Sequence, residues 1–309
     1  MVTGHDAAAQ NPSSEPLVIG VTGATGALGG RVLRRLADVG GLPLRAVVRD
    51  ASRAPQLPGV EIVANPGGYS DPAGLTAALR GVHTLYLVSA AEAENRLEQH
   101  FAAVDAAAAA GVQRIVYTSF LGAKDDAVFT LVRQHAATEE GIRATGVRHT
   151  FLRHSMYADF VPFFATVQDG RAVIAAPAGD GRTSFVSRDD LADVAVAVLR
   201  DDSGRFDGQA LEVTGPEALT MAEAADVLTE ITGIPAEYRP ETIEEAWASR
   251  RPSGHPDWEI EGWVTSYVAI AEGELAGVTD VVPSLTGHPA LTVAEHLRRH
   301  PEDWAGLRR

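Results

Sequence analysis

Three glycines, Gly23, Gly26 and Gly29, punctuate the stretch Leu17-Val18-Ile19-Gly20-Val21-Thr22-Gly23-Ala24-Thr25-Gly26-Ala27-Leu28-Gly29. An apolar run of strand type enters the triplet, and a helical pattern, Arg31-Val32-Leu33-Arg34-Arg35-Leu36, leaves it. A strand that turns through glycines into a helix presents the free N–H groups of the helix's first turn, and these bind anions. Gly23 can turn tightly, Gly26 places no Cβ between backbone and a pyrophosphate, and Gly29 lets the helix close on the strand. The chemistry expected is the holding of a dinucleotide by Thr22, Gly23, Thr25, Gly26, Ala27 and Leu28. A second strand ends 20 residues past Gly29 at Arg49, where the ribose is read. An acidic residue there accepts from a 2′-hydroxyl, whereas an arginine fork suits a 2′-phosphate, so NADP(H) is expected. The alternative is that Asp50 reads the ribose and Arg49 is a solvated strand end.

These residues need a scaffold of alternating strands and helices. Strands are expected at Leu44–Arg49, Val60–Ala64, Thr84–Ala90, Arg114–Ser119, Val147–Arg153 and Gln209–Thr214, with helices at Pro72–Arg80, Arg96–Ala110, Phe129–Ala144 and Leu191–Leu199. That alternation predicts an α/β fold with a doubly wound parallel sheet, whose ligands lie beyond the carboxyl ends of the strands. Val88 and Ser89 end one such strand and are assigned to the cofactor. Ser119, His154 and Tyr157 follow others and are candidates to bind or protonate a substrate. The loop Asn65-Pro66-Gly67-Gly68-Tyr69 is placed to reach the adenine. From Leu219 onward the chain reads as mostly helical, with a capping box at Thr220 and Glu223. The expected division is a tail at 1–15, a nucleotide-binding core at 16–155 to which 183–216 returns, and a substrate or lid region at 156–182 and 217–309. Tyr238, Trp247, Trp258, Trp263 and Tyr267 suit either a lid over a pocket or a plain core. Asp189 and Asp190 open a helix and are read as caps, and His296 and His300 as surface histidines without a metal.

Composition narrows the partners. A formal charge of -15 argues against nucleic acid or an anionic membrane, both of which need a basic face. There is no cysteine, which removes disulfides, thiolate metal sites and cysteine nucleophiles. Residues 1–15 are small and polar, unlike a signal peptide, so a cytoplasmic protein acting on a small molecule is expected, and an oligomer is compatible with that.

Taken together, Val21–Gly29, Arg49, Ile115-Val116-Tyr117-Thr118-Ser119, Phe151-Leu152-Arg153 with Tyr157, Gly179-Asp180-Gly181-Arg182 and Asp189–Val194 resemble the atypical short-chain dehydrogenase/reductase group. This group contains NmrA-like proteins, NADPH-dependent quinone reductases and triphenylmethane-dye reductases. The resemblance implies a Rossmann core, a small C-terminal substrate domain and a preference for NADPH. It also exposes a departure: the Tyr-x-x-x-Lys of typical members is replaced by Leu131 and His135. The quinone-reductase-like relatives lack that tyrosine too. His135 is then a candidate to bond the nicotinamide ribose, or a histidine on a helix flank. A conjugated electrophile needs little acid catalysis, so the expected activity is hydride transfer from NADPH to a quinone, imine or carbonyl. Two other readings stand beside it: a non-catalytic NADP sensor, and a non-redox biosynthetic enzyme.

Overall fold

In a computed structural model that describes residues 17–308, the chain opens with β1 (Ile19–Thr22), α1 (Ala27–Val39), β2 (Leu44–Val48) and β3 (Val60–Ala64). The tail expected at 1–15 lies outside the described residues. Next come α2 (Pro72–Leu79), β4 (Thr84–Leu87), α3 (Arg96–Ala109), β5 (Arg114–Phe120), α4 (Thr130–Ala144) and β6 (Arg148–His154). The second half holds α5 (Phe160–Phe163), β7 (Ala165–Gln168), β8 (Arg171–Ala176), α6 (Arg188–Arg200), β9 (Gln209–Val213), α7 (Met221–Thr232) and β10 (Ala236–Pro240). It ends with α8 (Ile243–Arg250), α9 (Asp257–Ala271), α10 (Val281–Thr286), α11 (Val293–Arg299) and a 3-10 segment, Pro301–Arg308.

Seven strands form one parallel sheet in the order β3-β2-β1-β4-β5-β6-β9. Every residue of β1 and β4 is buried, because both faces of the sheet are covered. The period of two sorts their side chains. Val21, Tyr86 and Val116 face α1 and α6, while Leu85, Leu87, Ile115 and Tyr117 face α2 and α3. Truncating a core residue such as Leu33 in α1, fully buried, should cost about 2–5 kcal/mol. The strand order reverses between β1 and β4, which opens the crevice above their carboxyl ends.

The smaller region holds more strand than its sequence suggests. β10, β8 and β7 form a second, three-stranded sheet. β10 has a weak pattern because it is a half-exposed edge that ends in Pro240. Phe185, Met221, Leu228, Ile270 and Trp304 form the core beneath it. α10 does not join this region; Val282 packs with Val194 and Val198 of α6 in the core of the large sheet. The capping box of Thr220 and Glu223 is present at α7.

Candidate functional site

The glycine turn is held by its own backbone. Gly26 N–H donates to the Gly23 carbonyl at 2.8 Å, and Gly23 adopts φ of +61°, a region that favours glycine. A Cβ on Gly29 would sit 2.4 Å from the Gly23 oxygen, so α1 can approach the turn only with glycine there. Tyr69 fastens the neighbouring strand ends. Its hydroxyl lies 2.6 Å from the Val88 carbonyl and 2.7 Å from Thr22 Oγ1, and Val88 N–H donates to the same Oγ1 at 3.0 Å.

Above this turn lies a cavity of about 640 Å³. Thr22, Gly23, Thr25, Gly26, Ala27, Leu28, Arg49, Val88 and Ser89, the residues expected to hold a dinucleotide, all border it. Arg49 is exposed at its rim, with its side chain over Gly68. Asp50 turns away and accepts from the N–H and hydroxyl of Ser52, at 2.9 and 2.7 Å. Asn65 donates to the Gly68 carbonyl, which leaves its buried Oδ1 without a partner among the described residues. A free acceptor there fits an adenine amino group, and the open turn fits a pyrophosphate.

A second cavity, of about 340 Å³, shares Ser89, Ala90, Ala91 and Tyr157 with the first. Phe120, Phe129, Leu131, Met156 and Phe160 give it apolar, largely aromatic walls. Tyr157 stands at the junction, with the Arg188 guanidinium 4.2 Å from its ring centroid. Burial raises the Tyr157 pKa, while Arg188 and Arg96 pull it down. Arg188 is itself anchored by Asp159.

Behind this cavity the Arg96 guanidinium is held by a chain of neutral polar groups. Arg96 Nε donates to the Ala90 carbonyl at 2.9 Å, Nη1 to Gln134 Oε1 at 2.9 Å, and Nη2 to His135 Nε2 at 2.9 Å. Arginine is only a donor, so the His135 proton must be on Nδ1, which donates to Tyr117 Oη at 3.0 Å. Ala90 N–H donates to His100 Nε2 at 2.9 Å, which puts the His100 proton on Nδ1, facing Thr138 Oγ1 at 2.9 Å. Burial, and then Arg96, push the His100 pKa down to about 3 and that of His135 well below its usual value. Both rings are neutral at pH 7.

Several expectations need correction. Both ring nitrogens of His135 are bonded within the protein, so it has none left for a ribose. Ser119 borders the second cavity, but its hydroxyl donates to Glu139 Oε1 at 2.6 Å, a carboxylate also held by Arg153. His154 is fully buried behind Tyr157, its Nδ1 3.4 Å from the tyrosine hydroxyl, and borders neither cavity. Burial and Arg188 lower its pKa to about 3, which removes it as an acid. No tryptophan borders either cavity; Trp247 and Trp263 pack against Ile260 and Val264. Ser187, not the following aspartates, caps α6. Asp190 accepts from Leu291 N–H, and Asp189 binds Arg31, Arg35 and His300. His296 is buried between Ser187 and Asp303, and not a surface residue. Sequence reasoning singles out neither Arg96 nor Arg188, since neither sits in a local motif, and it places Tyr69 only in the loop that reaches the adenine.

A family model described as the NmrA-like family matches residues 16–249. The chain is similar to an NAD(P)H azoreductase of Xenophilus azovorans, 31% identical over 280 residues that cover 91% of this chain and 96% of that one. It is similar to the structure of an NADPH-dependent quinone oxidoreductase of Escherichia coli complexed with NADPH, with a TM-score of 0.80, 31% identity, and 91% and 99% of the two chains covered. The triphenylmethane reductase of Citrobacter sp. complexed with NADP(H) gives a TM-score of 0.78 and 31% identity over 91% and 99%. With its parallel sheet, its glycine turn and these matches across most of its length, the chain belongs to the NmrA-like family, beside relatives that are NAD(P)H-dependent reductases.

Proposed function

We propose that the protein is an NADPH-dependent reductase of a small, flat, conjugated electrophile. The observation that carries the reading is the pair of joined cavities. One is lined by a glycine turn and an arginine, the other by aromatic rings, and they meet at Ser89, Ala90 and Tyr157. The turn's N–H groups would hold the pyrophosphate, Arg49 the 2′-phosphate and Asn65 the adenine. NADPH, when bound, supplies a hydride from its nicotinamide. Phe120, Phe129 and Phe160 would stack a planar acceptor and exclude water beside it. Tyr157, reachable from both cavities, is the candidate proton donor, with Arg188 countering the burial that holds its proton. The resemblance to a quinone oxidoreductase, an azoreductase and a dye reductase supports an acceptor of this class.

The test is NADPH oxidation against a panel of quinones, azo compounds, imines and carbonyls, with cofactor affinity titrated in the same buffer. Binding with turnover of a planar acceptor is expected. Tight binding with no turnover of any panel member would overturn the reductase reading in favour of a sensor or a non-redox enzyme.

A further inference from the structure

Arg96 is a cation in an unusual place. It is 5% exposed, borders the acceptor cavity and stands in the first turn of α3, where the helix dipole disfavours positive charge. Its bonded partners are a backbone carbonyl, a side-chain amide and an imidazole, all uncharged. Three of its five N–H groups are used by those bonds. A buried guanidinium whose hydrogen bonds all go to neutral acceptors has lost its water without a carboxylate in contact among the described residues, and it favours any anion that forms beside it. Glu92, at the exposed mouth of the same cavity, is the nearby carboxylate that acts on it.

We propose that Arg96 is the catalytic residue that stabilises negative charge on the reduced acceptor, and that the preferred acceptor is one that becomes an oxyanion. Quinones and conjugated ketones fit; a cationic dye, which becomes neutral on reduction, does not. The assignment rests on the reductase reading above. In the step, the acceptor gains two electrons and one hydrogen nucleus, and its carbonyl π bond opens so that oxygen takes the negative charge. A proton, passed by Tyr157 and replaced from water, completes the hydroquinone or ketone, and NADPH leaves as NADP+. His135 is a positioning residue that accepts from Nη2 and fixes the fork.

The experiment compares the wild type with Arg96→Gln, Arg96→Lys and His135→Asn, using p-benzoquinone and a cationic triarylmethane dye as acceptors. Thermal unfolding of each variant serves as the check on folding. Arg96→Gln should lower kcat for the quinone about a hundredfold, with far less loss for the dye. Arg96→Lys should keep part of the quinone rate. His135→Asn should lower kcat more than it raises KM. A readout free of turnover is the affinity of 4-nitrophenolate for the protein with NADP+. Arg96→Gln should weaken it about tenfold and leave neutral 4-nitroanisole unchanged. Equal losses on both acceptors, or phenolate affinity untouched, would overturn the assignment and leave Arg96 as a clamp on Ala90. If the wild type turns over nothing, the reductase reading fails, while the phenolate measurement still decides whether Arg96 binds an anion.

Discussion

The two cavities meet at the same four residues, yet they are built in opposite ways. The larger cavity is floored by backbone and side chains close in sequence, Thr22 to Gly29, and only its walls come from elsewhere: Arg49, the Asn65–Tyr69 loop, the end of β4, Gln99, Thr118 and Arg188. The acceptor half draws Arg96 from α3, Phe120 from β5, His135 from α4, and Tyr157 and Phe160 from beyond β6. A ligand that never changes can be recognised by a local turn. An acceptor is recognised by side chains from separate elements, most of which do not touch the turn.

The largest expected effect lies in the turn. Gly29→Ala would place a Cβ 2.4 Å from the Gly23 oxygen and 2.9 Å from that of Thr22, both backbone atoms that cannot step aside. Overpacking of this kind costs about 1–3 kcal/mol of stability, and displaced N–H groups should lower NADPH affinity at least about a hundredfold by calorimetric titration. Unchanged affinity would mean that the turn does not hold the pyrophosphate. Next comes Arg49→Glu, which exchanges a partner for the 2′-phosphate with a repelling charge. NADPH affinity should fall about thirtyfold to a hundredfold, and NADH affinity by less than about threefold. Equal losses would return the ribose to Asp50.

What the sequence revealed follows the same division. The turn and Arg49 are legible because their chemistry depends on glycine conformations and on one strand end. A strand end also shows that Ser119 and His154 lie near the crevice. It does not show that Glu139, 20 residues later, takes the Ser119 hydroxyl, or that Tyr157 covers His154. Arg96 has no local signature, because its meaning comes from Gln134 and His135 on another helix. His296 looked exposed beside Arg298 and Arg299 until Asp303, from the 3-10 segment that follows, closed over it. Short-range pattern records which elements form; the pairings between their far ends are tertiary facts.

Within the acceptor half, Tyr157→Phe keeps the ring under Arg188 and removes only the hydroxyl. The kcat for acceptors that need a proton should drop about thirtyfold, below the full range of acid catalysis because a conjugated acceptor is already activated. Ser119→Ala should behave differently. Its hydroxyl serves Glu139, so kcat should stay within about threefold while stability falls by about 1 kcal/mol, read from denaturant midpoints. A large kcat loss in Ser119→Ala with unchanged stability would restore it to the acceptor.

The smallest effect tests how the C-terminal segment is tied to the helices of the large sheet, away from both cavities. Asp189 in α6 accepts from Arg31 Nε at 3.1 Å and Arg35 Nη2 at 2.9 Å in α1, and pairs with His300 Nε2 at 2.7 Å. Burial lowers the His300 pKa, but Asp189 and Glu302 outweigh it, so the net shift is upward. A raised histidine pKa gives stability that is complete below the unfolded value of about 6.5 and lost as pH climbs through the folded value. Asp189 shifts the other way: burial is outweighed by His300 and Arg35, so its share is lost only as pH falls below the usual carboxylate range. His300→Gln should therefore lower Tm by about 1–2 °C at about pH 5.5, with the deficit shrinking toward about pH 9. Added salt should shrink it too, since the pair is partly solvated. A deficit that stays constant across pH would show that His300 holds the segment only as a neutral hydrogen-bonding group, with its charge contributing nothing.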